Sequence, residues 1–233
     1  MESDWMQLVS LVYLVCLVCL VYLVEPERPD QPDRPDRQDE LDKLTHGSGR
    51  LGVIDHEDRG GVTMDCVLLR HGIAVERDEW EGPDADRPLT ERGAKRVAQV
   101  AAGLKWLDVQ PTHVLSSPLI RAIETAKIAH RLLRVRSAVR IVDELLPDAP
   151  PDRLLSILHD LPPESCVLCV GHEPHLGMVA SVMLVGKPTT SFPFKKAGAC
   201  LIELSIPAKP GRGILRWWLS PDQFRAIGKR TTG

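Results

Sequence analysis

From residue 64 to residue 233 the sequence predicts an α/β protein: a three-layer α/β/α sandwich around a mostly parallel central sheet. Three observations predict it. Short apolar runs alternate with stretches of helical spacing. One run, Cys166–Val170, is apolar at every position, as expected of a strand covered on both faces. Polar clusters (Arg70-His71, Ser116-Ser117 and Gly171-His172) each fall just beyond such a run, where open α/β sheets bind ligands.

The elements follow in order. Asp65–Leu69 is a short apolar run and reads as a buried first strand. Between Thr90 and Leu107, apolar side chains fall at Ala94, Val97, Ala98, Ala101, Leu104 and Leu107, the spacing of a helix with one buried face. Thr90 can cap it. His113–Ser116 is a second strand. Ser117-Pro118 opens a helix to Leu133, with serine as cap and proline at the first helical position. Val139–Val142 is a third strand, Asp152–His159 a helix, Cys166–Val170 the fourth strand, and Pro174–Val185 a helix. Ala199–Ser205 and Ile214–Leu219 are the last strands.

The first 63 residues are different. Residues 6–24 are apolar but for Gln7 and Ser10 and long enough to span a bilayer, and residues 25–63 form a Pro/Asp/Arg-rich linker unable to bury a core. Two readings stand. Residues 1–24 are a membrane anchor on a disordered tether, or they are a mis-assigned start ahead of Met64. Near three-residue repeats in both stretches favour the second reading, and N-terminal sequencing decides it. A membrane partner is expected only if the segment is genuine.

Composition excludes some classes. With 43% hydrophobic residues a core is available, while a net charge of -3 and 4% aromatics argue against nucleic-acid binding. Cys66, Cys166, Cys169 and Cys200 sit in strands and form no framework. Cys166 and Cys169 have CxxC spacing, but residues three apart in a strand point to opposite faces. Buried thiols suit a reducing compartment, so a cytoplasmic location is expected. The alternative is anchoring through residues 6–24.

The chemistry gathers on a few residues. His71 lies between Arg70 and Gly72; a neutral imidazole is a competent nucleophile, and an arginine fork suits phosphate oxygens. Arg121 falls in the first turn of a helix, where the dipole disfavours a cation unless an anion lies nearby. His172 follows a strand and a glycine, as His71 follows a strand and an arginine. His172 and His175 have no third partner at metal-ligand spacing, so no metal or other cofactor is expected. Lys195-Lys196 could meet an acidic partner or lie solvated.

Together, Leu68-Leu69-Arg70-His71-Gly72-Ile73-Ala74, Arg87-Pro88-Leu89-Thr90-Glu91-Arg92-Gly93, Ser116-Ser117-Pro118-Leu119-Ile120-Arg121-Ala122-Ile123-Glu124-Thr125-Ala126, Asp143-Glu144-Leu145-Leu146-Pro147 and Gly171-His172-Glu173-Pro174-His175-Leu176 resemble the histidine phosphatase superfamily. The match is closest to its short SixA-like phosphohistidine phosphatases and covers roughly residues 64–221. The resemblance implies a phosphoglycerate-mutase-like fold with His71 as phosphoryl acceptor. It also implies a phosphate pocket of Arg70, Arg121 and His172, with Glu144 at the proton donor's place. Asp78, Asp84 and Asp86 are rivals for the donor. The implied substrate is phosphohistidine in a protein, because the short loop between Glu76 and Pro88 leaves the pocket open. The alternatives are a small-metabolite phosphomonoesterase and a catalytically silent phosphate-binding module.

Overall fold

The computed structural model describes residues 62–229. The apolar segment and nearly all of the linker therefore lie outside the described residues. No described helix is long and apolar enough to cross a membrane.

Among the described residues six strands and five helices follow in the order β1 (Thr63–Arg70), α1 (Glu91–Trp106), β2 (His113–Ser116), α2 (Ile120–Leu133), β3 (Val139–Ile141), α3 (Arg153–His159), β4 (Cys166–Gly171), α4 (His175–Val185), β5 (Ala199–Ser205), β6 (Ile214–Leu219) and α5 (Pro221–Lys229). The sheet order is β3-β2-β4-β1-β5-β6. Strands β3, β2, β4 and β1 run parallel; β5 and β6 add antiparallel at one edge.

Alternation along β1 divides the core into two layers. Met64, Cys66 and Leu68 face one side, packed with Leu154, Leu158, Leu176 and Met183 of α3 and α4. Val67 and Leu69 face the other, against Val97, Val100 and Leu104 of α1, Ala122 and Ala126 of α2, and Phe224 of α5. Both sides of β1 and β4 are thus dry, which is why these strands read as unbroken apolar runs. Cys169 lies in the first layer and Cys166 borders the second, as strand geometry requires of residues three apart. The strand thiols are free.

Two expectations need correction. Helix α2 begins at Ile120, not at Ser117-Pro118: Leu119 is the cap residue and makes no side-chain cap bond. Ser117 has a different partner, described below. Helix α5 was not foreseen. Its start is a reciprocal cap, with the Ser220 amide donating to Gln223 Oε1 at 2.7 Å and the Gln223 amide to Ser220 Oγ at 3.4 Å. Phe224 then seats against Gly103 of α1, where an added Cβ would lie 2.8 Å from the ring.

Candidate active site

The carboxyl ends of β2, β4 and β1 are neighbours in the sheet, and this brings the three polar clusters together. Arg70 is in register with Gly171, and Ser116 with Val170. The ladder continues past the strand ends: the His71 amide donates to the Gly171 carbonyl and the Ser117 amide to the Val170 carbonyl, each at 3.0 Å. His71 and Ser117 are thereby fixed by the sheet ladder, and the His172 carbonyl accepts the Leu176 amide at 2.8 Å.

His71 is buried, 7% exposed. Its Nδ1 lies 2.7 Å from the Gly72 carbonyl oxygen. A carbonyl only accepts, so Nδ1 carries the proton and the Nε2 lone pair is left free. Burial lowers the pKa of His71 to about 3; the Gly72 carbonyl opposes this, and the Arg121, Arg70 and Arg87 charges add to it. The ring is therefore neutral at any physiological pH. Burial above all, with those arginine charges beside it, keeps the His71 ring unprotonated.

Gly72 is needed for close approach, not for a left-handed turn. A Cβ there would come within 2.7 Å of Val97 Cγ2 on α1. The Gly72 amide donates to Thr125 Oγ1 at 3.0 Å, and that hydroxyl donates to the Arg121 carbonyl at 2.7 Å. Thr125 thus ties the turn after His71 to the helix that carries Arg121.

His172, 2% exposed, stacks obliquely on His71 with ring centroids 5.0 Å apart. Its Nε2 lies 2.8 Å from Ser117 Oγ. Ser117 Oγ also accepts the Leu119 amide at 3.4 Å; when its own proton goes to His172 Nε2, the ring proton sits on Nδ1. Burial and the neighbouring His71, Arg121, His175 and Arg70 lower the pKa of His172 to about 2.

Arg121, 5% exposed, projects from the first turn of α2. Arg70 donates from Nη1 to the Phe194 carbonyl at 2.5 Å. Phe194 is held in turn by Glu173, whose Oε2 accepts the Phe194 amide at 3.2 Å. Burial is the main influence lowering the pKa of both arginines, yet guanidiniums stay protonated. Three buried nitrogens here have no hydrogen-bond partner: Arg70 Nε, Arg121 Nε and His172 Nδ1. Buried donors are almost always paired, so three around one imidazole mark a place for an acceptor-rich ligand.

Four of the five expected site residues meet here. Glu144 sits apart on a half-buried 3-10 turn, Asp143–Leu145. The next carbonyl, that of Leu145, would lie 3.4 Å from a Cβ on Gly171. This puts Glu144 beside the end of β4, with no hydrogen bond or ion pair joining it to the pocket. Asp84 touches the site directly, as an ion pair to Arg121. Asp78 and Asp86 make no ion pair with pocket arginines. His175 is fully buried with neither ring nitrogen partnered, and burial lowers its pKa to about 4. Among the described residues no cluster of three metal-binding side chains occurs. Lys196 is committed to Glu76 at 3.2 Å. Ser117, Thr125 and Arg87 were not foreseen as site residues. Thr125 could have been found from its i+4 spacing to Arg121, which puts both on one helix face.

A mostly parallel sheet with a neutral histidine, the buried Arg121 and the half-buried Arg70 at its carboxyl edge suits the handling of phosphoryl groups. The family model of the histidine phosphatase superfamily (branch 1) matches residues 66–146. An uncharacterised protein of Picosynechococcus sp. is 33% identical over 58% of this chain and 82% of its own length. The phosphohistidine phosphatase SixA of Escherichia coli is 27% identical, over 70% of this chain and 97% of SixA. The solved structure of the protein histidine phosphatase SixA complexed with tungstate matches with a TM-score of 0.61 and 26% identity, covering 69% of this chain and 99% of that one. The chain belongs to the histidine phosphatase superfamily, on its SixA-like branch, and is a phosphatase of that class.

Proposed function

We propose that the enzyme removes phosphate from phosphohistidine in a protein, through a phosphoryl group carried on its own His71. The observation that carries this reading is the set of unpartnered buried donors, Arg70 Nε, Arg121 Nε and His172 Nδ1, around an imidazole whose Nε2 is free. With the His172 proton on Nδ1, they offer one donor for each of a phosphoryl group's three equatorial oxygens. Phosphoryl transfer needs positioning and charge neutralisation above all, and two guanidiniums and an imidazole supply both.

Nε2 of His71 attacks phosphorus in line, and the bond to the leaving group breaks as the N–P bond forms. When the leaving group is an imidazole protonated on its other nitrogen, it departs neutral and needs no further proton. Water then attacks phosphorus, the His71 N–P bond breaks, and inorganic phosphate leaves. Loss of one pocket arginine costs about 3 kcal/mol of transition-state stabilisation, as for other oxyanion donors. The similarity to SixA supports a phosphoprotein substrate. Cytoplasmic action is part of the same reading.

A substrate panel tests it. A phosphohistidine peptide is expected to exceed sugar phosphates, nucleotides and aryl phosphates in kcat/KM. Preference for a small phosphate ester would overturn the substrate assignment in favour of a metabolite phosphatase. No turnover of any substrate would favour a binding module.

A further inference from the structure

We propose that Asp84 is a positioning residue, which clamps the Arg121 guanidinium so that its Nε edge faces the phosphoryl group. The inference rests on the phosphate pocket described above.

The geometry assigns each atom a task. Arg121 donates from Nη1 to the Asp84 carbonyl at 2.8 Å, and its Nη2 lies 3.0 Å from Asp84 Oδ2. One short residue thus takes the terminal edge of the fork with both its backbone and its carboxylate. On the other edge remain Nε, buried and without a partner, and the second N–H of Nη2. A guanidinium has five N–H donors in one rigid plane, so fixing one edge fixes the direction of the other.

Asp84 is itself anchored. Arg87 donates from Nε to Asp84 Oδ1 at 3.0 Å, and its Nη2 lies 3.0 Å from the same oxygen. Arg87 Nη1 donates to the Val75 carbonyl at 2.7 Å. Each Arg87 nitrogen thus makes a contact that holds Asp84 or the Val75 backbone in place. The resulting chain runs from the backbone beyond His71, through Arg87 and Asp84, to Arg121. It ties nucleophile and phosphate ligand to one frame.

The same contacts decide against Asp84 as proton donor. Burial raises its pKa, but the combined Arg121 and Arg87 charges outweigh that and hold it below the usual carboxylate range. A carboxylate so held has no proton to give near neutral pH.

The test is a cycle of Asp84→Asn, Arg121→Ala and the double variant, assayed on a phosphohistidine peptide. Asp84→Asn should lower kcat/KM by about 10- to 100-fold, mostly in kcat, because the fork is present but no longer aimed. In the Arg121→Ala background it should change kcat/KM less than about twofold, since Asp84 acts through Arg121. Asp84→Glu should rescue part of the loss. Independently of turnover, the Arg121 Nε–H signal in 15N NMR should be slow to exchange in the unmodified protein and averaged in Asp84→Asn. If Asp84→Asn does not fold, Arg87→Lys carries the same expectation, as it keeps the charge and loses the fork.

An Asp84→Asn enzyme as fast as the parent, or one binding inorganic phosphate more tightly and turning over faster, overturns the clamp; the second result would make Asp84 a competitor for Arg121. Losses that multiply in the double variant also overturn it. An inactive parent would instead count against the proposed function, and the NMR signal would still decide the clamp.

Discussion

At the scale of single residues, the site depends on which nitrogen holds which proton. The Gly72 carbonyl fixes Nδ1–H on His71, and Ser117 fixes the orientation of His172. Ser117→Ala should therefore leave the fold intact and lower kcat by about 10-fold or more, because the His172 ring loses its only hydrogen bond. An unchanged kcat would show that His172 is aimed by packing alone. Thr125→Val removes the acceptor of the buried Gly72 amide and should destabilise the protein by about 1–3 kcal/mol in urea unfolding. For Glu144, Glu144→Gln is expected to slow aryl phosphate hydrolysis more than phosphohistidine hydrolysis, since an imidazole leaves with less help than an alkoxide or phenoxide. Equal losses on both substrates would contradict that division. The sequence made His71, Arg70, Arg121 and His172 legible because each follows a strand or opens a helix at the same sheet edge. It hid the Asp84 clamp, because a loop carboxylate meeting a helix 37 positions away leaves no periodic trace.

At the scale of elements, α1 and the turn after His71 are built as one piece. The Ile73 carbonyl accepts the Thr90 amide at 2.9 Å and the Thr90 hydroxyl at 3.2 Å, and a Cβ on Gly93 would overlap that same oxygen. Gly93→Ala should push α1 off the turn and cost both stability and activity, whereas a substitution on the exposed face of α1, such as Gln99→Ala, should cost neither. Thermal unfolding and kcat measured on both variants check this. Helix α5 offers a comparison far from the chemistry: Phe224→Ala should cost about 3–5 kcal/mol of stability while leaving KM unchanged. The longer helices and every strand were legible from spacing, with ends differing by a residue or two. Helix α2 starts later than expected because the backbone is still extended at Leu119, its cap residue. Helix α5 went unread because it is short and carries one deeply buried apolar residue. Its sign was Ser220-Pro221-Asp222-Gln223, a capping pattern with proline at the first helical position.

At the scale of the whole molecule, three buried neutral histidines, His71, His172 and His175, set the acid limit of the fold. Their folded pKa values of about 3, 2 and 4 lie below the ordinary 6.5. Between these values and 6.5 the unfolded chain binds protons that the folded chain does not, so stability falls as pH falls through that window. Each histidine contributes about 1.4 kcal/mol per pH unit there. Urea unfolding at pH 7 and pH 5 should show a marked loss at pH 5, reduced in His175→Gln. No loss would mean that these rings are already charged in the fold. The central claim is that the phosphoryl group passes through His71, and rapid quenching tests it most directly. Mixed with a phosphohistidine peptide labelled in its phosphoryl group and stopped in base within milliseconds, the enzyme should carry acid-labile, base-stable label on His71, absent from His71→Ala. Turnover with no label on the protein, or label on another residue, would contradict the account.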